Sequence, residues 1–214
     1  LVGEGQEIYN GENSGLEQWN TAVKKAKNNW EIVCPDKLEK EFSLAVKKYP
    51  ELDLNISLRT HTAGEVSKFI NHFIAGNMEQ ASLKAIDIIN NGFNMYYTRN
   101  LEIAKNYCHK RYAGHIDKRY GLLASSKNKE LKNYGLRSEF ELDIVTWFNG
   151  EIGDKNFSNS LELVISEFNC QGLEVDMPII VWGKDLRWYN STWYPEGKTD
   201  IDKVYRLNSY RVLL

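Results

Sequence analysis

Ser166-Glu167-Phe168-Asn169-Cys170-Gln171-Gly172-Leu173-Glu174-Val175-Asp176 lies between two apolar runs, Leu161 to Ile165 and Ile179 to Trp182. Short runs of Leu, Val and Ile bounded by polar residues read as buried strands. The connection between them is polar, turns on one Gly and carries the carboxylates Glu174 and Asp176. Gly172 admits a positive-φ turn or a close backbone approach. A strand that leads through such an elbow into a second strand is unlike ordinary core filler, and the reading of the whole chain starts from it.

Working outward, the C-terminal side gives a hairpin over Asp185 to Pro195, turning near Asn190-Ser191, and a closing helix over Asp200 to Leu214. On the N-terminal side, helical spacing places helices over Leu16 to Lys27, Leu38 to Val46, Gly64 to Ala75, Met78 to Ile89 and Asn100 to Tyr112. Strand signals fall at Trp30 to Val33, Leu52 to Leu58, Phe93 to Thr98 and Tyr120 to Ala124. Arg137 to Ser160 has a weak pattern and reads as loop with short helix. Lys127 to Lys132 reads as a solvated face. Strands alternating with helices imply parallel pairing, hence an α/β three-layer sandwich with a mostly parallel sheet.

Composition sets the outer bounds. The chain has 214 residues, 42% hydrophobic and 26% charged, ordinary values for a globular protein. No apolar run is long enough to cross a bilayer, so no membrane partner is expected. Three cysteines without a Cys-x-x-Cys pair argue against a structural zinc site or a disulfide framework, and a cytoplasmic setting is the default. The four histidines show no metal-ligand spacing, so no metal site is expected. Cys108-His109 lacks an evident third partner for a nucleophilic dyad. A net charge of −2 excludes a broad basic face for nucleic acid but not a narrow groove with a few Lys and Arg.

Four motifs carry chemistry. Ser166 to Glu174 resembles the superfamily 1 helicase motif Thr-x-His-x-x-Gln/Lys-Gly-x-Glu. Ser166 stands for Thr, Phe168 for His, and Gln171-Gly172-Leu173-Glu174 match directly. The wording is most similar to the Schlafen-type group of DNA/RNA helicase-like domains. Leu1-Val2-Gly3-Glu4-Gly5-Gln6 resembles Val-Gly-Asp-x-x-Gln, with Glu4 in place of Asp; its plainer reading is a Gly-rich turn. Ile56-Ser57-Leu58-Arg59-Thr60-His61-Thr62 resembles the motif at the entry to the second lobe; its plainer reading is a surface Arg, whose ion pairs contribute about 0–1 kcal/mol. Asn208-Ser209-Tyr210-Arg211-Val212-Leu213-Leu214 resembles the start of the last motif, and Arg211 is not its catalytic Arg.

The resemblance implies a RecA-like second lobe over residues 16–214, preceded by a remnant of the first lobe over 1–15, in a piece of a longer parent. It implies Arg59 and Gln6 as catalytic contacts to the ATP γ-phosphate. A guanidinium used this way contributes roughly 10³–10⁵ in rate in other phosphoryl-transfer systems. It implies Glu174 on the ribose and Gly172 beside the nucleotide. Ser166, Phe168, Gln171, Thr60 and His61 would touch a single strand of DNA or RNA. ATP and Mg²⁺ would bind in the parent, where the first RecA-like lobe is the partner and supplies the phosphate loop; no Gly-x-x-x-x-Gly-Lys-Ser/Thr occurs in this chain, so 1–214 alone is expected to be inactive.

Two rivals remain: a degenerate lobe serving as a non-catalytic nucleic-acid or protein interaction module, and an unrelated α/β enzyme with a ligand crevice at its strand ends. In the aromatic group Trp182, Trp188, Tyr189, Trp193 and Tyr194, packing is expected for Trp182. Trp188 and Trp193 could either pack or stack on bases.

Overall fold

The computed structural model describes residue 8 and residues 15–26, 29–53, 63–138 and 143–214. The chain divides into two compact units, Leu1–Phe93 and Asn94–Leu214. Of residues 1–15, only Ile8 and Gly15 are described.

The first unit contains helix α1 (Gly15–Lys25), strands β1 (Ile32–Cys34) and β2 (Val46–Lys48), and helices α2 (Ala63–Ile74) and α3 (Met78–Asn90). β1 and β2 pair in parallel, with Ile32 opposite Val46. The helix expected over Leu38 to Val46 does not form. A 3-10 helix occupies Asp36–Glu41, and Val46 joins the ladder instead. Tertiary partners decide this: Asn20 Oδ1 on α1 accepts from both the amide and the hydroxyl of Ser43 at 3.1 Å, which pins the chain in an extended path. Pro50–Leu52 is a 3-10 turn, so the strand expected from Leu52 does not begin there, and residues 54–58 lie outside the described ones. α2 and α3 pack on each other through a short connection at Gly76, whose φ of 80° closes the turn.

The second unit carries α4 (Leu101–Arg111), β3 (Tyr120–Leu123), α5 (Ile144–Asn149), β4 (Val164–Ile165), α6 (Glu167–Cys170), β5 (Met177–Ile180), the strands β6 (Leu186–Tyr189) and β7 (Thr192–Pro195), and α7 (Asp200–Leu213). β3 lies between β4 and β5, parallel to both, with Leu122 opposite Val164 and Ile179. Strand alternation then sorts the faces. Tyr120, Leu122, Leu161 and Val164 cluster with Cys108 of α4. Gly121 points the other way, where a Cβ would strike the Trp147 ring of α5. Trp147 is fully buried and donates from Nε1 to the Leu163 carbonyl at 3.3 Å.

The described strands thus form small, mostly parallel sheets in a mixed α/β chain, in place of one continuous sheet. Phe93 to Thr98, expected as a strand, has no ladder partner. Tyr96 leans on Tyr107 instead, with ring centroids 4.8 Å apart, and the Arg99 Nε donates to the Tyr97 hydroxyl at 2.8 Å. Aromatic content favours a strand only where a neighbouring edge is available. The hairpin lies where expected, with Asn190 and Ser191 both at positive φ, the two-residue turn that matches strand twist. α7 opens on a capping box, Thr199 accepting from the Asp202 amide at 3.1 Å and Asp202 accepting from the Thr199 amide at 3.0 Å.

Candidate functional site

The carboxyl ends of the three parallel strands converge. β3 runs into Ser125 and Ser126, β4 into Ser166 and Glu167, and β5 into Gly183 and Asp185. α7 closes over them and contributes Arg206 and Tyr210, both buried. Glu167 is 1% exposed and is held by Ser126, whose amide donates to Oε2 at 2.8 Å and whose hydroxyl donates to Oε1 at 2.9 Å. The Arg206 Nη1 donates to the Ser125 hydroxyl at 2.6 Å and lies 3.6 Å from Glu167 Oε1. Its Nε lies 3.4 Å from Asp185 Oδ2 without forming a hydrogen bond. Tyr210 donates its hydroxyl proton to Asp185 Oδ1 at 2.9 Å and accepts from the Gly183 amide at 3.1 Å.

One guanidinium therefore sits between two buried carboxylates. Burial, reinforced by Asp185, raises the Tyr210 phenol and keeps it a donor. Gly183 is required here, because a Cβ would collide with Asp185 Oδ1 and the Asn128 side chain. The network fills the carboxyl ends of β3, β4 and β5 with buried side chains. A cleft of about 320 Å³ lined by Arg111, Tyr112, His115 and Lys118 lies instead on the approach to the amino end of β3.

The sequence-derived residues run along the outside of this network. Ser166 is half-buried at the amino end of α6, its hydroxyl 3.0 Å from Asn169 Oδ1. Phe168 is 38% exposed. Gln171, Gly172 and Glu174 are exposed. Gly172 has φ 87°, and a Cβ built on it meets nothing within 4 Å, so the approach to this elbow is open. The segment travels from the carboxyl end of β4 to the amino end of β5. Glu174 thus stands toward the opposite rim of the sheet from Ser166 and Phe168.

Asp176 fastens that far end. Its carboxylate accepts from the Arg119 amide at 2.8 Å and from Lys118 Nζ at 2.9 Å. Burial pulls the Asp176 carboxyl upward, but the Arg119 amide and Lys118 outweigh it and leave the group below its ordinary value. Gln6, Arg59, Thr60 and His61 lie outside the described residues.

Glu167, Asp185, Arg206 and Ser125 escaped the sequence reading. One signal was present: Arg206 falls on the inward stripe of α7 with Ser209, Tyr210 and Leu213, and a guanidinium at a core position calls for buried acids. The thiols of Cys34, Cys108 and Cys170 are buried and free. Burial, helped by Glu167, pushes Cys170 up to about 11, and burial pushes Cys108 to about 11. His109 Nδ1 lies 3.2 Å from the Tyr120 hydroxyl. Among the described residues no group of His, Cys, Asp and Glu could hold a metal ion, and no helix is long and apolar enough to cross a membrane.

No curated protein and no solved structure matches the chain. The profile of one protein family does, over residues 1–214, and its description is Schlafen group 3, DNA/RNA helicase domain. The Gln-Gly-Leu-Glu elbow lies within that match, and the chain belongs to the Schlafen group 3 DNA/RNA helicase domain family.

Proposed function

We propose that this chain forms the RecA-like second lobe of an ATP-dependent DNA or RNA helicase or translocase. The observation that carries the proposal is the path of Ser166 to Glu174. Its Glu167 is locked into the buried ionic network while Phe168, Gln171, Gly172 and Glu174 are exposed, and it joins the two rims of a parallel sheet in a helicase-domain family member. One rim would follow the strand, through Ser166, Phe168 and Gln171. The other would meet nucleotide, through Gly172 and Glu174. A carboxylate on an open elbow suits ribose hydroxyls, which donate to it. Arg59 and Gln6 would contact the γ-phosphate, Arg59 as a forked donor aimed at charge that develops during transfer. Thr60 and His61 would lie beside the strand. ATP with Mg²⁺ would supply the phosphoryl group whose transfer to water drives stepping.

The test is ATP hydrolysis by the natural protein with and without single-stranded DNA or RNA. The proposal requires stimulation by the strand and a loss of roughly 10³-fold or more in Arg59→Ala. Strand binding without hydrolysis would favour the non-catalytic interaction module, a reading supported by exposed Phe168 in the place of His. Residues 1–214 alone are expected to hydrolyse ATP no faster than background.

A further inference from the structure

The hairpin β6–β7 has two unlike faces. Leu186 pairs with Pro195 and Trp188 with Trp193, so these four side chains share one face. That face packs on an aromatic stack, with Leu186 buried and Trp188 at its outer edge. Trp188 meets Trp193 edge-on at 4.9 Å, Trp193 stacks on Trp182 at 5.6 Å, and Trp182 leans on buried Tyr210 at 4.3 Å. Trp182 also donates from Nε1 to the Leu186 carbonyl at 2.7 Å. Arg187 opposite Tyr194, and Tyr189 opposite Thr192, share the other face. Tyr189 is 65% exposed and Tyr194 45%, with ring centroids 6.1 Å apart.

Leu186 to Pro195 contains no Asp or Glu, and Arg187 is its one formal charge. Neighbouring Glu196 pairs with Lys129 at 2.8 Å and feels the charge of Arg187 only as a weaker, more distant attraction. In a chain of net charge −2, this hairpin face with a cation beside two neighbouring exposed rings is complementary to an anionic, ring-bearing ligand. The scaffold is rigid: the turn is two residues long, and the Glu196 amide donates to the carbonyl of Asp185 at 2.7 Å, tying the hairpin base to the buried network. The hairpin leaves the same carboxyl-terminal rim that carries Ser166 and Phe168.

We propose that the Arg187–Tyr189–Tyr194 face is a stacking platform for single-stranded nucleic acid, with bases on the two tyrosines and a phosphate on Arg187. The proposal rests on the nucleic-acid reading of this family member and adds a contact surface outside the motifs. Base–aromatic stacking tolerates any sequence because every base has a π-face, so the platform suits a protein that must follow a strand irrespective of sequence. The tryptophans serve as its underside.

The test uses the full chain and a fluorescein-labelled oligothymidylate, followed by anisotropy across a salt series. Tyr189→Ala with Tyr194→Ala is expected to weaken binding by about tenfold or more, and the paired Phe substitutions to keep it, since the ring does the stacking. Arg187→Ala is expected to reduce the slope of log affinity against log salt by about 0.7, and Arg187→Lys to preserve it. Thermal melts of all variants should superimpose. If the wild type binds the strand and the alanine pair binds within about twofold of it, the platform is wrong and the family reading stands. If the wild type binds no strand, the nucleic-acid reading falls and takes the platform with it. A wild-type dimer that dissociates in the alanine pair would assign the face to a second copy and overturn the proposal.

Discussion

Glu167 and Glu174 belong to the same connection between β4 and β5, yet they have opposite surroundings. Glu167 is buried, both its oxygens are filled by Ser126, and Arg206 lies alongside. Glu174 is exposed beside a glycine elbow with an open approach. A buried carboxylate held by Ser126 braces the segment from inside. One on an exposed turn can be reached from solvent. The contrast separates what holds the segment from what the segment offers.

The comparison breaks most visibly at Arg206. Arg206→Ala leaves Glu167 and Asp185 buried without their counter-charge and is expected to destabilise the second unit by about 3–5 kcal/mol, read by urea denaturation. Gly121→Ala drives a methyl group into the Trp147 ring and is expected to cost about 1–3 kcal/mol in the same assay. Tyr210→Phe removes the donor to Asp185 Oδ1 and the acceptor of the Gly183 amide, with an expected loss of about 1–3 kcal/mol.

Alkaline pH sharpens the picture of the same core. Burial raises the folded-state pKa of the Cys108 and Cys170 thiols to about 11, above their ordinary value of 9.0. Between these values the folded chain holds more protons than the unfolded one. Stability is therefore expected to be intact below pH 9 and to fall as pH rises toward 11, with Cys170→Ala reducing the slope of the melting temperature against pH. The smallest effect belongs to the outer carboxylate: Glu174 is exposed, and Glu174→Ala is expected to cost no more than about 1 kcal/mol.

What the sequence made legible follows from how local each signal is. Helices with an amphipathic stripe and a cap stand where expected; α4 begins on Asn100, whose Oδ1 accepts from the Glu102 and Ile103 amides at 3.0 and 3.3 Å. The hairpin was legible from Asn190-Ser191, a pair that tolerates positive φ. Leu38 to Val46 and Phe93 to Thr98 were misread because their conformation depends on distant partners: Asn20 and Ile32 for the first, the lack of a pairing edge for the second. The exposed elbow at Gly172 was legible as a motif. The network beneath it was not, because Ser125, Glu167, Asp185 and Arg206 are far apart in sequence and only the closing of α7 over the strand ends brings them together. The alternation of faces in β6–β7 also needed the register: the tryptophans drew attention in the sequence, while Tyr189 and Tyr194 on the reverse face are more exposed than Trp188.

The most direct measurement compares the two glutamates in the natural protein, following urea stability and strand-stimulated ATP hydrolysis in parallel for Glu167→Ala and Glu174→Ala. The account requires Glu167→Ala to lose more stability than Glu174→Ala, and Glu174→Ala to stay folded while its hydrolysis at limiting ATP falls. Wild-type hydrolysis in Glu174→Ala at every ATP concentration would contradict it.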